Sequence, residues 1–157
     1  MGFTKSTKGH ECNDEKTKSI ASPGSDVRRV ILRANRVLPG KPAPDGRRDP
    51  RWQAIIHVGE FIESQPDAVW EFTLRWGKHP QADLRSAIAT CLLEHLLEHH
   101  YQLIFPRVAA AAKSSRRFAD TLSGIIYFGQ AKETKNRTAI ERLHRASNSQ
   151  RKRNRTS

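Results

Sequence analysis

Apolar residues recur at intervals of three and four in several segments of the chain, a spacing that predicts amphipathic helices. Asp49 and Pro50 begin the first strong segment, because aspartate is a good N-cap and proline suits the first helical position. A second helix is predicted to begin at Pro66 and to end at Gly77. The longest predicted helix covers residues 82 to about 100.

The apolar stripe of this longest helix is wider than half its circumference, which predicts a helix buried between neighbours. His95 and His99 fall on the same side as Ile88 and Cys91, so the pattern places both histidines in the packing stripe. The apolar positions are Leu84, Ile88, Cys91, Leu92, Leu93, Leu96 and Leu97.

Residues 26–36 also show a helical spacing of apolar positions, with Asp26 as the predicted N-cap. A short strand is the alternative, because residues 30–32 are β-prone. A stretch rich in proline and glycine follows and predicts a stiff loop.

The spacing of apolar residues after the longest helix predicts helices less clearly. Pro106 is predicted to interrupt the chain before an alanine-rich helix over residues 107–113. Another helix is predicted over residues 117–128 and ended by Gly129, and residues 138–146 fit a last short helix.

Two of the predicted helices share a signature at an offset of 34 residues: Asp49 and Arg51 align with Asp83 and Arg85. Each aspartate is predicted to cap its helix, and each arginine to pair with an aspartate of an adjoining unit. Further on, Glu60 aligns with Glu94, and Ile62 with Leu96.

This signature resembles the second helix of HEAT-like repeats. The resemblance covers about half of the chain and implies an all-α fold, a short right-handed stack of antiparallel helix pairs known as an α-solenoid. HEAT units usually run about 40–47 residues, and a period of 34 also suits tetratricopeptide units, whose aromatic pattern this chain lacks. An unrelated helical bundle is the alternative fold.

The net charge of +12 over 157 residues is unevenly distributed and suggests a domain organisation. The segment before residue 49 has 11 basic and 5 acidic residues, a net charge of +6, and divides into a disordered tail over 1–25 and a helix with its loop over 26–48. Residues 49–131, the HEAT-like domain, have 8 basic and 9 acidic residues, hence −1. Residues 132–157, a basic and largely disordered tail, have 9 basic and 2 acidic residues, hence +7.

Three features favour an intracellular, cytoplasmic location. Cys12 and Cys91 lie in unlike contexts, which argues against a disulfide. No stretch approaches the about 18 consecutive apolar residues of a transmembrane helix, and the first residues lack the apolar region of a secretory signal.

His95, Glu98 and His99 form His-x-x-Glu-His, the inverted zinc-protease motif, in which two histidines on one helix face bind the metal and the glutamate acts as a base. Such a site needs a third protein ligand, and downstream only Glu133 and Glu141 are available, in a weakly structured basic region. The sequence therefore favours packing histidines over a metal site, and no cofactor is predicted.

Two further constellations have a functional and a structural interpretation. Cys91 lies four residues before His95, a spacing that suits an activated thiolate, but its leucine neighbours favour a buried core cysteine. Trp52, Trp70 and Trp76 could stack on nucleic-acid bases, yet their helical spacing favours core packing.

The sequence leaves two function classes open and argues against a third. A non-catalytic scaffold that binds a protein partner is favoured, because no convergent catalytic set is found and an enzyme is therefore not expected. The alternative is a nucleic-acid-associated protein that binds through its basic flanks, and no membrane partner is predicted. The candidate contact residues are Arg142, Arg145, Arg151, Lys152, Arg153 and Arg155.

Overall fold

A computed structural model describes residues 23–45 and 48–155, and within these ranges all regular secondary structure is helical. The all-α prediction is therefore confirmed. The helices are α1 (Pro23–Val37), α2 (Pro50–Gly59), α3 (Pro66–Trp76), α4 (Ala82–Ile88), a π-helical segment (Ala89–Leu93), α5 (Glu94–His99), α6 (Tyr101–Ser114), α7 (Arg116–Leu122), α8 (Gly129–Lys132) and α9 (Thr134–Arg153).

The first segment, for which helix and strand were both open, is the helix α1. It begins at Pro23, so Asp26 lies in its first turn instead of capping it. Ala34 and Leu38 are buried in the common core, and α1 packs against α2. Most of the tail predicted to be disordered, residues 1–22, lies outside the described residues.

The predicted starts of α2 and α3 are confirmed. The Asp49 side chain accepts a hydrogen bond from the Arg51 backbone N–H, and Pro50 occupies the first helical position of α2. Trp70 and Trp76 of α3 are buried, which confirms their packing role, and Trp76 donates a 2.8 Å hydrogen bond to the Asn35 side chain of α1.

The longest predicted helix is present as α4, the π-helical segment and α5 in one continuous run. Asp83 does not cap it, because the N-cap is Gln81 and Asp83 lies within the first turn. Pro106 does not interrupt the chain either, since α6 runs through it. The backbone N–H that proline lacks would have bonded to the carbonyl of Gln102, and that residue is exposed to water.

The helix predicted over residues 117–128 is shorter than expected, because α7 ends at Leu122. The chain then continues without regular structure, with Ile126 59% exposed. Gly129 begins α8 instead of ending a helix, and its positive φ of 45° is a conformation that glycine adopts at little cost.

The C-terminal segment is the largest departure from the sequence prediction. Residues 134–153 form α9, where a short helix and a disordered tail were predicted. Ile140 and Leu143 bury its inner face against α6 and α7, and Ala34 and Leu38 extend the same core at the other end. The packed unit is therefore not confined to residues 49–131.

In the described part of the chain no helix combines the length and apolar character needed to cross a membrane.

Candidate functional site

A groove of about 640 Å³ runs between α2 and the continuous helix that contains the π-helical segment. Gly59 faces the π-helical segment, where a Cβ would make ordinary contacts of 3.4 Å with the Cys91 carbonyl oxygen and the Leu92 side chain. We call this surface the α2–α5 groove. Its lining residues are Ile56, Gly59, Glu60, Ile62, Glu63, Ser64, Thr90, Cys91, His95 and His99.

The π-helical segment decides which residues of the long helix line the groove. A π turn holds one residue more than an α turn, which shifts every later side chain by about 100° around the axis. After the shift, Leu92, Leu96 and Leu97 are fully buried. His95 and His99 instead lie at the surface, with side chains 43% and 42% exposed. The prediction that both histidines belong to the packing stripe is therefore wrong for His99, which is exposed, whereas His95 is half-buried.

Cys91 is also displaced from the core towards the groove, where it is partly buried. Burial raises the pKa of its thiol, while the neighbouring Thr90 hydroxyl, 3.8 Å from the sulfur, acts in the opposite direction. The thiol is therefore the resting form at neutral pH, which argues against the activated thiolate considered from the sequence.

The groove combines apolar and acidic surface. Ile56 is 44% exposed at its edge, although it is a large aliphatic residue. Glu60 and Glu63 supply negative charge, and none of the described residues that line the groove is lysine or arginine. Trp52, Trp70 and Trp76 do not line it. This surface therefore differs from the basic, aromatic grooves that bind single-stranded nucleic acid.

The wall formed by α5 is held by the chain that follows α7. The buried Glu94 side chain accepts a 3.1 Å hydrogen bond from the Ile126 backbone N–H. Gly129 packs so closely on α5 that an added Cβ would lie 2.6 Å from the Glu98 Cγ atom. Gln130 donates to the His99 carbonyl and accepts from the Tyr101 backbone N–H, which fixes the junction of α5 and α6.

The 34-residue signature brings the starts of α2 and α4 together. The Arg51 guanidinium lies 3.0 Å from the Asp49 carboxylate and 2.8 Å from that of Asp83, which confirms the predicted pairing for this arginine. These hydrogen bonds lower the pKa of both aspartates. Arg85 behaves differently, since it donates to the backbone carbonyls of His79 and Pro80.

No protein-family model matches this chain. No curated protein and no solved structure matches it either.

The basic residues predicted at the C-terminus lie on a helix and the turn after it. Arg142 and Arg145 are exposed on α9, as are Lys152 and Arg153, and Arg155 follows the helix. Arg151 belongs to α9, but its side chain lies outside the described part of the structure. A second cleft, of about 270 Å³, separates the end of α9 from the α6–α7 turn. Its lining includes Lys113, Arg116, Asp120, His144, Asn148 and Arg155.

Proposed function

We propose that this chain is a non-catalytic protein-binding module and that its α2–α5 groove receives a short segment of a protein partner. The observation that carries the proposal is the combination of exposed Ile56 with Glu60 and Glu63 in one groove. Charge complementarity predicts the chemistry of the occupant, a segment with lysine or arginine beside an apolar anchor. An acidic or nucleic-acid ligand would meet like charge in this groove.

A short HEAT-like stack is the architecture that we propose for this module. It is supported by the Arg51–Asp83 contact, which joins the first turns of the two helices that carry the 34-residue sequence signature. In stacked helix pairs each unit buries a face that it cannot cover alone, and neighbouring units form an extended binding surface. The α2–α5 groove lies between the two helices that carry the repeated signature.

Selection from a displayed library of random peptides tests the proposed function. With the full chain as bait, we expect enriched peptides to contain lysine or arginine next to a large apolar residue. Their binding should weaken at least about tenfold in Glu63→Lys, because like charges then face each other across the groove. The matched control is Glu71→Lys on the exposed part of α3, which makes the same charge change away from the groove.

Two outcomes would contradict the proposal. One is enrichment of acidic peptides. The other is a set of peptides whose affinity is the same for the wild-type chain and for Glu63→Lys.

A second candidate function, association with nucleic acid, is favoured by α9 and the cleft beside it. Arg142 and Arg145 are exposed on one helix, and Lys113 and Arg116 line the cleft at its end. Such a surface binds the phosphate groups of a nucleic acid whatever the nucleotide sequence, and its affinity falls steeply with salt concentration. This candidate requires binding through the basic helix and not through the groove.

For this candidate we expect a short DNA duplex of arbitrary sequence to bind the full chain weakly. The double variant Arg142→Gln with Arg145→Gln should make the slope of log affinity against log salt shallower by about 1–2, since each phosphate contact contributes about 0.9. The control is Arg75→Gln with Lys78→Gln, which removes two charges from the central segment. A fluorescence anisotropy titration at several salt concentrations measures the slope. Equal slopes in the two double variants would exclude α9 as the binding surface.

A further inference from the structure

Three side chains that can bind a metal ion lie together on α5, where His95 and Glu98 are half-buried and His99 is exposed. The ligand atoms of His95, Glu98 and His99 are all within 4.8 Å of one another. The His95 Nδ1 atom is 2.8 Å from a Glu98 carboxylate oxygen, and the His99 Nε2 atom is 3.6 Å from the same oxygen. One carboxylate oxygen therefore lies within reach of both imidazoles.

These separations suit a small tetrahedral cation. Zinc binds histidine nitrogen and carboxylate oxygen at about 2.0–2.2 Å, so neighbouring ligand atoms in a tetrahedral site are about 3.4 Å apart. The Glu98–His99 distance already has this value within a few tenths of an ångström. The His95–Glu98 contact of 2.8 Å is a hydrogen bond, which a bound metal ion would replace with two metal–ligand bonds.

The backbone that carries the three ligands is held in place, which reduces the entropy lost on binding a metal. Gly129 packs against the Glu98 side chain and its carbonyl oxygen. Gln130 donates a 3.1 Å hydrogen bond to the His99 carbonyl and also bonds to the first residue of α6. The last turn of α5 is therefore held by the first residues of α8.

We propose that His95, Glu98 and His99 bind one Zn²⁺ ion. Two imidazoles and one carboxylate form a donor set typical of zinc and leave the fourth coordination position open. Glu98 is then the third protein ligand. In the inverted zinc-protease motif this glutamate acts as a base, and the third ligand comes from a later part of the chain. Because both histidines also line the α2–α5 groove, the open position lies beside the surface where a partner segment would bind. The proposal does not depend on partner binding.

Isothermal titration of the metal-free full chain with zinc chloride tests this site. We expect one equivalent of zinc to bind, with the affinity reduced at least about tenfold in both His95→Ala and His99→Ala. The control is His57→Ala, which removes an exposed helical histidine of α2 and should leave the affinity unchanged. Circular dichroism checks that all variants are folded, as expected for substitutions of exposed side chains.

A second readout identifies the ligands independently of affinity. Cobalt(II) bound in a tetrahedral site gives a visible absorption band, and we expect this band with the wild-type chain and His57→Ala but not with His99→Ala. Zinc binding that survives in His95→Ala and His99→Ala would overturn the proposal. Zinc binding that both histidine variants retain but Cys12→Ser loses would also overturn the proposal, because the metal would then be bound elsewhere. Neither result would bear on peptide binding, which is measured without metal.

Discussion

Replacing Arg51 with alanine is expected to lower the free energy of unfolding by about 3–5 kcal/mol, the usual cost of breaking a buried ion pair from one side. Arg51 and Asp49 are both 2% exposed, and their side chains bond through two guanidinium nitrogens. Without the guanidinium, the Asp49 carboxylate stays buried with only backbone donors. The substitution also removes the contact with Asp83 that joins α2 to α4.

Arg85→Ala is the matched control for this prediction, because Arg85 occupies the equivalent position 34 residues later. Its guanidinium donates to two backbone carbonyls, so we expect a loss of only about 0.5–1.5 kcal/mol. Urea unfolding followed by circular dichroism measures both values. Equal losses in the two variants would show that the Asp49–Arg51–Asp83 contact has no special role.

The same contact predicts how stability depends on pH. Hydrogen bonds from Arg51 hold the pKa values of Asp49 and Asp83 below the ordinary value of 3.8. A carboxylate with a lowered pKa in the folded state stabilises the fold above its unfolded pKa, and this stabilisation is lost as the pH falls through the folded pKa. The wild-type chain should therefore lose more stability below about pH 5 than Arg51→Ala does.

Replacing Phe118 with alanine is expected to cost about 3–5 kcal/mol of unfolding free energy, because it removes a fully buried ring and leaves a cavity. The Phe118 side chain of α7 is 0% exposed and packs edge-on against Trp70, with the ring centroids 5.8 Å apart. It also lies directly against Gly77, where an added Cβ would meet the ring at 3.0 Å. One ring thus joins α7 to both the body and the end of α3.

Phe128→Ala is the control for this second prediction. Phe128 has the same side chain but is 42% exposed, so we expect its loss to cost less than about 1 kcal/mol. The two variants are compared by urea unfolding at one pH. A small effect of Phe118→Ala would mean that α7 does not belong to the cooperative core.

Local signals near the helix starts were sufficient to predict much of the fold. Asp49 and Pro50 identify the start of α2 because capping and proline geometry depend on adjacent residues alone. The pairing of Arg51 with Asp83 was also predictable, since a repeated spacing places equivalent helix starts side by side. The structure bears out this pairing for Arg51, whereas Arg85 bonds to nearby carbonyls instead.

The candidate site could not be predicted in the same way, because it depends on one inserted residue in a helical turn. A regular helical wheel places Cys91, His95 and His99 in the buried stripe beside the leucines, and the π-helical segment leaves only the leucines fully buried. Packing against α2 and α7 determines whether the helix keeps a regular α-helical register or takes the shifted one. The local sequence pattern does not encode these contacts. The sequence does contain one sign of the shifted register, because leucines lie on both sides of the predicted stripe.

The C-terminal helix was missed for a related reason. Its composition is polar and basic, which resembles that of a disordered tail. Burial of Ile140 and Leu143, with the buried Asn136 bonded to the Gln130 carbonyl, stabilises α9 against the rest of the core. The packing of Ile140 and Leu143 against α6 and α7 joins residues that are distant in sequence and outweighs the weak local preference.

A reciprocal charge exchange across the α2–α5 groove shows directly whether a basic partner segment binds there. A selected peptide with an essential lysine is titrated against the wild-type chain and Glu63→Lys, and the same peptide with that lysine replaced by glutamate is titrated against both. We predict that each single exchange weakens binding at least about tenfold and that the double exchange restores most of the affinity. If the pair with both exchanges binds no more tightly than the pairs with one exchange, the result would contradict binding of a partner segment in this groove.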